Sequence, residues 1–509
     1  MATHEIGVTP MTQIEIKNNY LWLPVRTGDE MCRLTVMLAG QTVYELDIEA
    51  ADGPADFYAW WDVRPYAGET LAFDGSVPAG WLARLEQHEA IPEKKEDHPA
   101  IHFTPHTGWM NDPNGLLFDG KRYHLYFQHN PFGTQWGNMH WGHAVSRDLL
   151  RWEQLDEAMY PDVNGVIFSG CGFVDRKNAA GCGAGARLFF YTSMGGKQAQ
   201  SKESQTTQRL ALARPGRSLL EKTDVVCVPF IDPETRDPKV FYHAQTDAYV
   251  MVLFLQGNTF GIFRSHDLKA WEQTQTLELE KAWECPDLFQ LKNESCMDRW
   301  VFISADGYYF VGDFDGYRFT GYTRRRMAYL GTLPYAAQTW ANVNGRVLMT
   351  AWLRTANTGK PWRGTMSLPL ELSLGGAEER LCLAPARELL AARQVPLCEG
   401  ANAPCDITIN VKAAEATLDI ADPGTPSVSL ACSAAEITFD IKNGTCTVGD
   451  ETVHMRSRSF RVFFDCGTVE IFSLDDGGYY SAATAECGTV GTLEVRSDAA
   501  ISLSVWPLG

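Results

Sequence analysis

Short runs in which apolar and polar residues alternate, or in which β-branched and aromatic residues crowd together, recur along nearly the whole chain. Arg33–Gly40, Arg122–Asn130, Ala248–Gln256, Arg299–Gly307, Arg346–Leu353 and Phe460–Leu474 are examples, each bounded by Gly, Asp, Asn or Pro. A period of two with breaks of this kind predicts strands. Helical periodicity is scarce. The stretch Ala384–Arg393 (APARELLAAR) is the exception and reads as a short helix or a linker. The pattern therefore predicts an all-β protein.

Three regions separate. Residues 1–95 form a small β-rich unit closed by the charged stretch Glu93-Lys94-Lys95-Glu96-Asp97, a natural linker. Residues 99–372 are dense in aromatic and acidic motifs. A linker over 373–394 leads to a charge-poor, strand-like region over 395–509 that suits a β-sandwich. A chain of 509 residues is too long for one core, which agrees with this division. Ser146-Arg147-Asp148-Leu149-Leu150-Arg151-Trp152 and Ser265-His266-Asp267-Leu268-Lys269-Ala270-Trp271 share the pattern S-x-D-L-x-x-W. Two copies fit either repeated propeller blades or two similar turns.

Composition narrows the partners. A net charge of −19 argues against nucleic acid or an anionic membrane and favours a neutral ligand. No run is long and apolar enough to span a bilayer. The opening residues lack the basic start and apolar core of a secretory signal, so a cytoplasmic location is expected, secretion staying open if a leader was removed. The 13 cysteines show no CxxC pairs, so neither a metal site nor a cofactor is expected. They read as reduced thiols. Pairing among Cys398, Cys405, Cys432, Cys446, Cys466 and Cys487 is left open.

Candidate chemistry lies in three acids, each followed closely by proline: Asn111-Asp112-Pro113-Asn114-Gly115, Arg236-Asp237-Pro238 and Glu284-Cys285-Pro286-Asp287. Proline fixes its own φ and pushes the preceding residue toward extended backbone, a way to hold a carboxylate at a strand end. The Asn-Gly step predicts a tight turn. Taken singly, Arg-Asp-Pro and Glu-Cys-Pro are ordinary solvated loops. Together in one Trp-rich region they suggest glycosidic cleavage, in which one carboxylate attacks or activates water and another protonates the leaving oxygen.

The blocks His102-Phe103-Thr104-Pro105, Trp109 to Gly115, Tyr126 to Pro131, Trp136 to His143 and Phe168-Ser169-Gly170 precede the Arg-Asp-Pro and Glu-Cys-Pro in that order. With Phe463-Phe464-Asp465 and Val469-Glu470-Ile471-Phe472, they resemble glycoside hydrolase family 32, the invertase, inulinase and levanase family. The resemblance implies a five-bladed β-propeller followed by a C-terminal β-sandwich. It further implies a retaining mechanism on β-fructosyl substrates (fructans, fructo-oligosaccharides, sucrose), without a metal. Carried onto matching positions, Asp112 is the nucleophile, Glu284 the acid/base and Asp237 the transition-state stabiliser. Trp109, Asn111, Gln128, Trp136, Phe168, Ser169, Arg236 and Trp352 would bind substrate. The N-terminal unit resembles an extra β module of some family members, with a packing role expected above sugar binding.

Two positions depart from the family pattern. Leu333 stands where an acid is usual and Leu370 where Arg is usual, which predicts weaker polar recognition of the leaving group and poorer cleavage of sucrose than of short β-fructans. Rival readings are a sucrose-preferring invertase, a fructosyltransferase, an inverting arabinan- or xylan-cleaving furanosidase, and a noncatalytic fructan-binding protein. The Asn-Asp-Pro-Asn-Gly and Trp-Gly-Asn-Met-His-Trp-Gly-His blocks argue against the furanosidase, and the three acids against the binding protein.

Overall fold

The computed structural model describes residues 11–28, 31–50, 53–78, 80–94, 98–356, 359–421, 427–465, 467–484, 488–497 and 500–509. These form an all-β protein whose few helical turns are short 3-10 segments, and no helix is long and apolar enough to cross a membrane. Much of the linker expected over 93–97 lies outside the described residues.

Five consecutive antiparallel sheets carry the middle of the chain. They start with the strands Gly108–Phe118, Val166–Asp175, Arg236–His243, Asp287–Lys292 and Pro334–Thr339. Each is a meander of about four strands counting its first, and successive first strands meet, the third and fourth through the Lys239–Asp287 ion pair. Hydrogen bonds join neighbours: Val240 N–H donates to Cys171 Sγ at 3.1 Å, and Thr339 N–H to Asp287 Oδ2 at 2.8 Å. The series returns to its start, where Phe118 N–H donates to the Ala341 carbonyl at 2.9 Å and Gly108 N–H to that of Pro361 at 2.8 Å.

The S-x-D-L-x-x-W repeat marks equivalent turns in the first and third sheets. Asp148 Oδ1 accepts N–H groups of Leu150 and Arg151, and Asp267 Oδ1 those of Lys269 and Ala270. The buried leucines adopt φ of 64° (Leu149) and 62° (Leu268). An aspartate that substitutes for the missing backbone acceptors makes this tight corner tolerable.

The linker expected over 373–394 is corrected. Leu370–Gly375 and Arg380–Pro385 pair with each other and complete the fifth sheet, and Arg387–Ala392 is a 3-10 turn. The alternation Leu370, Leu372, Leu374 buries one face of this strand. Beyond it, a seven-stranded and a six-stranded sheet enclose an apolar core that includes Leu418, Phe439, Phe460 and Leu503. The pairing left open among the C-terminal cysteines does not occur at Cys398, Cys405, Cys432 and Cys446, which are free thiols. Cys466 and Cys487 lie outside the described residues.

A polar clamp holds the C-terminal unit to the middle one. At the C-terminal interface His102 is fully buried, with Nδ1 2.9 Å from Asp465 Oδ2 and Nε2 2.7 Å from Glu470 Oε1. Asp465 also accepts the N–H groups of Ala100, Ile101 and His102, and Glu470 that of Leu368. At the other end, residues 12–88 form a four-stranded and a three-stranded sheet with their own core. Trp61 joins that core, whereas neighbouring Trp60 packs edge-on against His106, as alternation along a strand requires.

Candidate active site

All three acids come from the first strand of a sheet, or from the residues just before it. The extended backbone expected ahead of proline does not occur at Asp237 or Cys285. Their φ values are 65° and 42°, and Glu284 has φ 35°. Bulges explain the first of these and recur around the ring. The register slips between Met110 and Pro113, Phe168 and Gly170, Arg236 and Lys239, and Tyr335 and Gln338. A bulge turns one side chain out of the pleat toward the centre. The left-handed residues cost about 1–3 kcal/mol each. Two hydrogen bonds offset this: Asp237 N–H donates to Thr192 Oγ1 and Cys285 N–H to Asp237 Oδ2, both at 3.0 Å. The expected Asn-Gly turn is likewise a bulge inside the strand Gly108–Phe118. Gly115 has φ 57°, and a Cβ there would meet the Tyr126 ring at 2.7 Å.

The result is a pocket of about 570 Å³ in which Asp112, Asp237 and Glu284 converge. Asp112 Oδ2 accepts from Ser169 Oγ at 2.7 Å, and its Oδ1 from Asn111 Nδ2 at 3.1 Å. Glu284 Oε2 accepts from Arg236 Nη2 at 2.7 Å and Nε at 3.0 Å, while Tyr335 donates to Oε1 at 2.5 Å. The Cys285 thiol lies between two of the acids, 3.8 Å from Asp112 Oδ2 and 3.4 Å from Asp237 Oδ2. Arg236 also lies over the ring of Phe254, 4.7 Å from its centroid, which fixes the guanidinium plane.

Electrostatics follow from crowding acids out of water. Burial, then the charge of Glu284, raises the Asp112 carboxyl above its ordinary range, against hydrogen bonds from Ser169 and Asn111. Burial pushes Asp237 up to about 7, with Arg236 opposing and Glu284 and Asp112 adding to the rise. Burial and the neighbouring acids keep Cys285 a neutral thiol. The cluster thus retains a proton into the neutral range, and its titration belongs to the set rather than to one member.

Beneath the pocket a second polar layer ties the sheets together. Lys239 Nζ is 2.9 Å from Asp287 Oδ2 and donates to the Thr339 carbonyl at 2.6 Å, joining three sheets. Asn114 Nδ2 donates to Gln128 Oε1 at 2.8 Å, and Gln128 Nε2 to the Ile167 carbonyl at 2.9 Å.

Of the substrate-binding residues expected from sequence, Asn111, Gln128, Trp136, Phe168, Ser169, Arg236 and Trp352 line the pocket. Trp109 does not. Its Nε1 donates to Asn111 Oδ1 at 2.8 Å from behind, and its ring meets Trp352 edge-on. Leu333 and Leu370 are buried and do not line the pocket. Sequence reasoning missed Met194, Lys197, Glu234, Trp283 and Tyr335. Tyr335 stands two residues after Leu333 and Trp283 beside one of the three acids; Lys197 and Glu234 lie in loops that carry no motif. Among the described residues no group of three His, Cys, Asp or Glu side chains could hold a metal ion.

Three carboxylates, an arginine and aromatic walls in one pocket are the donor set of a glycoside-cleaving site. The chain belongs to the glycosyl hydrolases of family 32, because residues 102–385, more than half of it, match that family's N-terminal domain. It is 36% identical over 336 residues to a levanase of Bacillus subtilis, covering 58% of this chain and 48% of that one. It is 35% identical over 314 residues to an invertase of Debaryomyces hansenii, covering 55% and 57% respectively. The chain thus spans about half the length of these curated relatives. Among solved structures, an exo-inulinase from Aspergillus awamori superposes with a TM-score of 0.73 at 23% identity, over 82% of this chain and 99% of that one. That likeness bears on the fold alone.

Proposed function

We propose that the protein is a retaining β-fructosidase that releases terminal fructosyl units from fructans, fructo-oligosaccharides and sucrose. In this reading the five sheets are the blades of a propeller and the two C-terminal sheets a sandwich, and the pocket lies at the propeller axis. The observation that carries the reading is the convergence of Asp112, Asp237 and Glu284 in one pocket, each with its own set of hydrogen-bond partners. The names of the levanase and the invertase support the substrate class.

The Asp112 carboxylate attacks the anomeric carbon while Glu284 gives its proton to the leaving oxygen, forming a fructosyl ester. Glu284 then takes a proton from water, whose oxygen displaces Asp112 and frees fructose. Ser169 and Asn111 hold Asp112 in line. Asp237 and Arg236 accept from and donate to the ring hydroxyls as positive charge develops. The pocket falls within the size range of small-ligand sites, which suits a chain end better than a polymer segment.

Asp112→Asn should retain the wild-type circular dichroism spectrum and lose at least about 10⁴-fold in turnover of sucrose and inulin, since the covalent route is removed. Turnover within tenfold of wild type would reject the assignment. Methanolysis should give methyl β-fructofuranoside with retained configuration; the opposite anomer would reject the double displacement.

A further inference from the structure

The strand Gln41–Glu49 lies at the end of the N-terminal four-stranded sheet. A strand in that place leaves the N–H and C=O groups of every second residue unpaired along its outer edge. Here that edge is met by two loops of the middle region. Glu49 N–H donates to the Phe132 carbonyl at 3.1 Å. Asn138 acts as a surrogate peptide group: its Oδ1 accepts from Asp47 N–H at 2.8 Å, and its Nδ2 donates back to the Asp47 carbonyl. Gln200 N–H donates to Glu45 Oε2 at 2.9 Å, and Gln198 Nε2 reaches the Glu45 carbonyl at 3.5 Å.

The two loops are the ones that bring Trp136 and Lys197 to the pocket. Trp136 is 55% exposed and belongs to no strand, so little holds it apart from its loop and an edge-on contact with Phe168. That loop is pinned on both sides of Trp136. Phe132 is buried in the N-terminal core, a Cβ on Gly133 would sit 3.1 Å from the Glu49 carboxyl carbon, and Thr134 N–H donates to Glu49 Oε2 at 3.2 Å. After Trp136, Asn138 holds φ 42° and also bonds Asn130 Oδ1 at 3.1 Å. Lys197 sits just ahead of Gln198 and Gln200, the two residues that reach Glu45.

We propose that the edge of Gln41–Glu49 is a positioning element for the outer wall of the sugar pocket, with Asn138 acting through Trp136 and Glu45 through the Lys197 loop. The inference rests on the pocket being the fructoside site. On this view the N-terminal unit sets substrate affinity without touching the reacting atoms.

The test is kinetic and spectroscopic on the full chain. Asn138→Ala and Glu45→Ala should each raise KM for a short fructo-oligosaccharide about tenfold, with kcat within about threefold. Glu45→Gln keeps the acceptor for Gln200 N–H and should restore the wild-type KM. In a Trp136→Ala background, Asn138→Ala should add nothing to KM, because both changes act through one group. In 5-fluorotryptophan-labelled protein the Trp136 resonance, assigned by its loss in Trp136→Phe, should move in Asn138→Ala and stay in Glu45→Gln. Unchanged KM with only a lower melting temperature would overturn the proposal, as would a full Asn138→Ala effect in the Trp136→Ala background. If the wild type cleaves no fructoside, the proposed function has failed. The fluorine resonance then decides the positioning claim by itself.

Discussion

The buried His102 clamp makes a quantitative prediction about pH and stability. A ring with carboxylates against both nitrogens can donate to both only as imidazolium. Burial works against that charge, yet the hydrogen bonds to Asp465 and Glu470 win and raise the imidazole from 6.5 to about 9. Because the folded value lies above the unfolded one, the contribution is complete below about pH 6.5 and is lost as pH rises through about 9. The difference corresponds to roughly 3 kcal/mol. His102→Gln keeps one donor and removes the charge. At pH 6 it should melt several degrees below wild type by circular dichroism, and the gap should close progressively toward pH 10. A gap that stays constant from pH 6 to 10 would show that the ring is neutral in the folded protein and refute the reasoning.

Two further predictions concern the pocket. The three-acid cluster retains a proton into the neutral range, and the first step needs a proton on the leaving oxygen, which the second step returns; kcat/KM should therefore fall as pH rises through about 7, and an alkaline limb above about 9 would contradict this. Arg236→Lys keeps a charge but loses the paired contact of Nη2 and Nε with Glu284, so kcat/KM should drop at least about 100-fold, and rates near wild type would show that the guanidinium is incidental.

The strands and the acids were legible in the sequence for a simple reason. A period of two survives wherever one face is buried, and Asp112, Asp237 and Glu284 sit in blocks whose composition is unusual. The local backbone was not legible. Pre-proline sterics point to extended structure at Asp237 and Cys285, whereas tertiary hydrogen bonds hold both left-handed. Trp109 looked like a wall residue because of its neighbours, yet the pleat puts it behind Asn111. Leu333 and Leu370 were read as pocket positions by analogy with the family, and burial places them elsewhere. Lys197 reaches the pocket from a loop tied to Glu45 of the N-terminal unit, a placement that no local pattern encodes. The 373–394 segment hid two strands because Gly375-Gly376 and the charges after it resemble a linker.

The first strands of the five sheets start between residues 108 and 334, and the series of sheets joins up only when 341 and 361 reach back to 118 and 108. Such a topology has a high contact order, for which loop-closure entropy must be spent before most stabilising contacts form. Asp112 meets Cys285, which lies ahead of the fourth sheet, only after sheets far apart in the chain have assembled. Catalytic competence should therefore emerge late in refolding, after most strand signal has returned. Enzymatic activity then serves as a clock for the final closure event, and no contiguous fragment ending before residue 334 should show any.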